Sequence, residues 1–301
     1  MSPEDDNGAD GPPSAAAAAP GPAPPLELFE YIPETALVVV AHPDDCDFLA
    51  ASVLSAWNRR GCRSAICLVT DGDAGSDDSS IPKGELSRIR LVEQQRAAAH
   101  LGVGEVRCLN YPDGALENSL GLRRDLVRVI RQVRPEALFT LDPTMRWFGR
   151  GYLNHPDHRA AAAAALDAVF PSARDSRAFP ELLRDEGLQP HKVRFVLMGT
   201  RGEGADVAVP VEAVDLENKL AALGEHRSQF DAGDMRPGTW DGARECGRRA
   251  GVELAEGYRL FDLVPNPSQR NYRRQRREEL DQAGARRAGV PEPPEAASHW
   301  G

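Results

Sequence analysis

Five short apolar runs, rich in β-branched residues, punctuate the first two thirds of the chain: residues 36–41 (ALVVVA), 65–69, 106–109, 137–141 and 193–198. Continuous apolarity, rather than alternation, marks a strand buried on both faces. Between the runs lie stretches with apolar positions at helical spacing, at 48–60, 85–101, 119–134 and 158–170. Strand alternating with helix predicts βαβ units, hence an α/β fold with a mostly parallel sheet and helices on both faces. In such sheets ligands gather at the carboxyl ends of the strands, where the strand order reverses.

Beyond Gly199 the pattern changes. Residues 206–211 predict a short strand, 215–226 a helix and 258–264 a final strand. The division expected is a disordered leader (1–25), a catalytic α/β core (26–200), a smaller C-terminal lobe completing the domain (201–265) and a charged, disordered tail (266–301). The leader has an Ala run but Asp and Glu where a signal peptide carries Lys or Arg. No apolar run approaches the roughly 20 residues needed to cross a bilayer. A cytoplasmic protein without integral membrane association is expected.

Composition narrows the partners. The net charge of -10 argues against nucleic acid and anionic membranes. The five cysteines, Cys46, Cys62, Cys67, Cys108 and Cys246, form no CxxC and are odd in number, which fits reduced thiols and no Cys-type zinc site.

Two clusters carry the chemistry. His42-Pro43-Asp44-Asp45 follows the first long apolar run, and His155-Pro156-Asp157-His158 opens the Ala-rich helical stretch after the fourth. Either motif alone reads as a turn and a helix start. Together, each at a strand exit, they place two histidine–carboxylate groups on one sheet edge. Catalytic zinc takes three N or O ligands and keeps one position open. His42, Asp45 and His158 supply such a set. Asp44 is then free to act as general base, His155 to stabilise an oxyanion as imidazolium, and Asp157 to bond His155 and fix its tautomer.

The segment VVVAHPDD with a later HPDH resembles the LmbE-like, or PIG-L-like, deacetylase family. The resemblance runs from about residue 37 to 229 and includes TDGDAG (70–75), RLVEQQRAAAHLGV (90–103), YPDG (111–114) and KLAALGEHRSQ (219–229). It implies a Rossmann-like fold without a dinucleotide, zinc at His42, Asp45 and His158, Asp44 as base, and His155 with Asp157 at the tetrahedral intermediate. It also implies that Arg90 and Asp113 contact sugar hydroxyls. The bland alternatives are a helix-surface ion pair of Arg90 with Glu93 and a turn role for Asp113. Cys46 departs from the common HPDDE and is expected to pack in the core, a soft fourth metal ligand being the alternative. Asp71 and Asp73 are placed beside the cleft or as caps of the Gly-rich turn, His226 in a structural role with an approach to the site from the C-terminal lobe as the alternative, and Arg146 and Trp147 in a rim over the pocket.

The function expected is N-deacetylation of a GlcNAc-containing small molecule or glycoconjugate, with zinc as cofactor and iron(II) as the other candidate metal. The partner expected is an amino-sugar conjugate, and a homo-oligomer is compatible with the sequence. The alternatives are an amidase for a larger acyl group, as in mycothiol S-conjugate amidase, and a non-catalytic metal or sugar-binding module. A Mg²⁺-dependent phosphohydrolase is disfavoured by two His ligands.

Overall fold

The computed structural model describes residues 23–263, except 77, 79, 201–203, 232 and 234. The expected tail and nearly all of the expected leader lie outside the described residues.

In chain order the elements are β1 (Glu27–Leu28), β2 (Thr35–Val40), α1 (Asp45–Asn58), β3 (Arg63–Thr70), α2 (Lys83–His100), β4 (Glu105–Tyr111), α3 (Leu120–Val133) and β5 (Ala137–Thr140). A small hairpin follows, β6 (Trp147–Phe148) and β7 (Tyr152–Leu153), then α4 (Pro156–Val169), α5 (Pro180–Arg184) and β8 (Phe195–Gly199). The chain continues with β9 (Val207–Pro210), α6 (Ala213–Leu223), α7 (Met235–Ala250) and β10 (Ala255–Asp262).

Eight strands form one sheet in the order β1-β9-β10-β8-β5-β2-β3-β4. The expected α/β fold with a mostly parallel sheet is observed. β2, β3, β4, β5 and β8 run parallel, while β10 lies antiparallel to both β8 and β9. The stretch read as a smaller lobe therefore supplies β9 and β10 to the same sheet. The chain winds outward from β2 through β3 to β4, then returns to place β5 on the other side of β2. The order reverses between β2 and β5; HPDD leaves β2 directly, and HPDH follows β5 by way of the β6–β7 hairpin.

The pleat explains the apolar run of β2. Val38 and Val40 enter one core with Leu54 and Trp57 of α1. Leu37 and Val39 enter the opposite core with Leu126 of α3 and Ala161 and Ala165 of α4. A strand sandwiched between two helical layers has no solvent face, so the buried positions 36–40 are all apolar. Each such valine or leucine stabilises the fold by about 1.5–3 kcal/mol.

The sequence pattern missed α7. Its sixteen residues, MRPGTWDGARECGRRA, bury only Ala243 and Gly247. The Gly247 position approaches backbone so closely that a Cβ there would lie 2.6 Å from the Glu253 carbonyl oxygen. The close approach folds the turn at residues 252–253 back onto the end of the helix, while Ala243 and Trp240 pack it on the core. The two-residue strands of the hairpin were also too short to leave a periodic signal.

Candidate active site

The loop leaving β2 turns sharply. Asp44 has φ 96° and ψ -35°, a region sparsely populated by residues with a Cβ, at a cost of about 1–3 kcal/mol. It occupies the N-cap of α1 yet makes no side-chain capping bond. Its carboxylate is left facing a cavity of about 770 Å³. Asp45 begins the helix, and its Oδ2 accepts the His42 backbone N–H at 2.9 Å. Two successive carboxylates thus point in different directions from one turn.

The second motif closes the site from α4. His155 is the N-cap, its Nδ1 accepting the Asp157 backbone N–H at 3.2 Å. His158 Nε2 reaches Asp45 Oδ1 at 3.1 Å. The His42 ring centroid lies 4.8 Å from that of His155 and 5.2 Å from that of His158. Residues more than 110 positions apart in sequence are therefore neighbours, as the adjacency of β2 and β5 requires.

Two trios offer ligand atoms within 4.8 Å of one another: His42, Asp45 and His158, and His42, His155 and Asp157. Both oxygens of Asp157 are already engaged, accepting the backbone N–H groups of Gly114 at 2.7 Å and Leu116 at 3.2 Å. The first trio is the better cation site. His42 Nε2 is buried and makes no hydrogen bond, although it lies 3.0 Å from Asp113 Oδ1. Burial opposes charge on His42, but Asp113 and Asp45 outweigh it and raise the imidazole to about 10. Surroundings that hold a proton this firmly also suit a divalent cation, and two imidazoles with one carboxylate fit its coordination.

The remaining electrostatics separate the two aspartates. Burial, reinforced by Asp45, pushes Asp44 up to about 7, against the pull of Arg90. Burial would raise Asp45 as well, but His158 and His42 hold it below the usual carboxylate range. One aspartate is thus a firm anion, and its neighbour exchanges a proton near neutrality. Asp113 is held at about 2, burial being outweighed by His42. His155 lies below its ordinary value, chiefly through burial and then through His42.

The geometry of His155 differs from the expected one. Its Nδ1 is 3.9 Å from Asp157 Oδ1 and instead accepts that residue's backbone N–H. Nε2 is then the protonated nitrogen, and Asp157 braces the 114–116 loop.

Arg90 is buried and lines the cavity. Its guanidinium donates to the Pro43 carbonyl at 2.8 Å and the Gly72 carbonyl at 3.0 Å, with Asp44 Oδ2 at 3.5 Å. Glu93 accepts instead from Ser228 N–H and Oγ, at 2.8 and 2.6 Å. Asp113 also lines the cavity, its Oδ2 accepting the Ala74 N–H. Asp71 accepts the Asp73 N–H across the turn. Cys46 is in the core, and burial pushes its thiol well up. Trp147 is exposed on the hairpin, whose Tyr152 and Leu153 line the cavity.

Three supporting residues escaped the sequence reading: Asn154, Gln94 and Asp47. Asn154 is buried, and its Oδ1 contacts His158 Nδ1 at 3.0 Å. Gln94 Oε1 accepts the Asp44 backbone N–H at 2.9 Å. Their positions beside HPDH, HPDD and Arg90 were the only available signal.

The family profile described as GlcNAc-PI de-N-acetylase matches residues 37–169. Diacetylchitobiose deacetylase of Thermococcus kodakarensis is 30% identical over 227 residues, covering 74% of this chain and 82% of that protein. A probable N-acetyl-alpha-D-glucosaminyl L-malate deacetylase 2 of Bacillus anthracis is 29% identical, covering 64% of this chain and 80% of that one. Among solved structures, N,N'-diacetylchitobiose deacetylase from Pyrococcus horikoshii superposes with a TM-score of 0.68 at 28% identity, covering 79% of this chain and 89% of that one. With both motifs on one sheet edge and this likeness over most of the chain, the protein belongs to the PIG-L (LmbE-like) family.

Proposed function

We propose that the protein hydrolyses the N-acetyl group of a GlcNAc-containing conjugate, with zinc held by His42, Asp45 and His158. The observation that carries this reading is the placement of Asp44. Its carboxylate is uncapped, faces the cavity and stands one residue from a ligand trio that it does not join. Two imidazole nitrogens and a carboxylate oxygen suit zinc better than a hard oxygen-seeking cation.

A bound divalent ion would polarise the acetyl carbonyl and lower the pKa of an attacking water. Asp44, facing the cavity beside the trio, would serve as the base that takes a proton from the attacking water. His155 presents its Nε2–H toward the oxygen on which negative charge develops. Arg90 holds the loop carbonyls and leans on Asp44. Asp113, on the cavity wall, is placed to accept from a sugar hydroxyl.

The relatives named above act on GlcNAc joined to a second group. A cavity of about 770 Å³ lies in the upper part of the ~300–1,000 Å³ range of small-molecule sites and leaves room for such a group beside the reacting sugar. Among the described residues, no helix is long and apolar enough to cross a membrane.

The test is acetate release from a panel of N-acetylated sugars, with metal content measured and with chelator added. Turnover that needs zinc and disappears in Asp44→Asn is the expected result. Turnover in metal-free protein would overturn the reading.

A further inference from the structure

Behind Asp44 lies a set of buried polar groups drawn from three separate parts of the chain. His226 is wholly buried, and its Nε2 is 2.8 Å from Asp47 Oδ2. The same carboxylate oxygen accepts from Gln94 Nε2 at 2.9 Å. Gln94 Oε1 in turn accepts the backbone N–H of Asp44 at 2.9 Å. Asp44 lines the cavity, and His226, Asp47 and Gln94 do not.

The chemistry fixes the direction of this chain of bonds. A backbone N–H only donates, so Gln94 must turn its oxygen to Asp44 and its amide nitrogen to Asp47. A carboxylate only accepts, so His226 donates from Nε2. The position of the Asp44 backbone, held at φ 96°, is thereby tied to a histidine in the last third of the sequence.

His226 is itself anchored at the same turn of α2. Ser228 bonds twice to Glu93, the residue before Gln94. Phe230, further along this segment, packs on Phe48 at 5.5 Å and lines the cavity.

Resting on the reading of Asp44 as general base, we propose that His226 is a positioning residue. Acting through Asp47 and Gln94, it holds the Asp44 backbone so that the carboxylate faces the substrate. Without its donor, the buried Asp47 carboxylate keeps only the bond from Gln94. Gln94 is then drawn to satisfy Asp47 at the expense of Asp44.

A double-mutant cycle on the full-length, zinc-loaded protein separates this role from simple packing. His226→Ala, Gln94→Leu and the double variant are assayed on N,N'-diacetylchitobiose, with KM, zinc content and Tm measured alongside. Each single change should lower kcat by about 10- to 100-fold, with KM and zinc content within about twofold of the parent. The double variant should be no worse than Gln94→Leu, because both changes cut one chain of bonds. His226→Gln, which keeps a donor, should recover most of the loss. Hydrogen exchange at the Asp44 amide gives a readout independent of turnover and should be faster in His226→Ala. If His226→Ala does not fold, His226→Leu fills the space without a donor and takes its place. A kcat within twofold of the parent, losses that multiply in the double variant, or unchanged Asp44 exchange would overturn the role of His226. Activity retained in Asp44→Asn would instead remove the reading beneath it.

Discussion

Asn154 Oδ1 faces His158 Nδ1 at 3.0 Å across the first turn of α4. The Asn154 amide nitrogen donates to the Met145 carbonyl at 2.8 Å, so its oxygen must be the atom on the histidine. With Nδ1 donating to Asn154, a cation bound at the trio would be held by His158 through Nε2, the nitrogen facing Asp45. Asn154→Leu removes that orientation. Zinc affinity should fall by about 10- to 100-fold, with activity recovered at saturating zinc. Competition with a chromogenic chelator measures it; unchanged affinity would show that the tautomer is set elsewhere.

Asp44 and Asp45 should separate on mutation. Asp44→Asn keeps zinc while losing about 10²- to 10⁴-fold in kcat, the usual range for a general base. Asp45→Asn loses zinc as well, since its Oδ1 faces His158 within the ligand trio. Metal analysis after dialysis distinguishes them, and equal zinc loss in both would defeat this division of roles.

His155 donates from Nε2 in its neutral form, because Nδ1 already accepts the Asp157 N–H. His155→Ala should lower kcat by about 10²- to 10³-fold while leaving KM and zinc content near the parent's. His155→Gln keeps an N–H donor and does not titrate. Its pH–rate profile should keep the parent's alkaline limb, and loss or displacement of that limb would mean that the imidazolium is the working form.

Arg90 stabilises the ionised Asp44, opposing the burial that raises it to about 7. A base must be ionised, so activity falls as pH drops through this pKa. Arg90→Gln removes the opposing charge, raises the pKa further and moves the acid limb of kcat to higher pH. Arg90→Lys, keeping a cation, should shift it less. An acid limb moving to lower pH in Arg90→Gln would contradict the arrangement.

Gly247→Ala tests the tight turn that follows α7. The added Cβ would meet the Val252 and Glu253 carbonyl oxygens at 2.7 and 2.6 Å. Overpacking of this kind costs about 1–3 kcal/mol, visible as a lower Tm with zinc binding retained at low temperature. An unchanged Tm would show that the 252–253 backbone yields freely.

The legible parts of the sequence were those with a local signature. The run ALVVVA announced a strand covered on both faces, and β2 has helices on each side. HPDD and HPDH announced donors, and their place at strand exits announced that they meet. α7 left no signature because it buries only Ala243 and Gly247 and carries Pro237, Gly238, Gly242 and Gly247, residues that argue against helix. Gln94 and Asp47 were equally silent. Each is an ordinary polar residue at a helical position, and its role exists only through a partner fifty or more residues away. Arg90 was read toward its helical neighbour Glu93 or a sugar, whereas its strongest bonds go to two loop carbonyls.

The reversal of strand order between β2 and β5 also bears on how the molecule acquires its chemistry as it folds. His42 and Asp45 emerge early, but His158 arrives only after α2, β4 and α3 have been laid down and β5 has docked beside β2. That docking joins segments about 100 residues apart, a long loop closure of the kind that makes folding slow. The trio is therefore incomplete in any state in which β5 has not paired with β2. A cation that binds only the finished trio stabilises the paired arrangement of β2 and β5 over every state that lacks it.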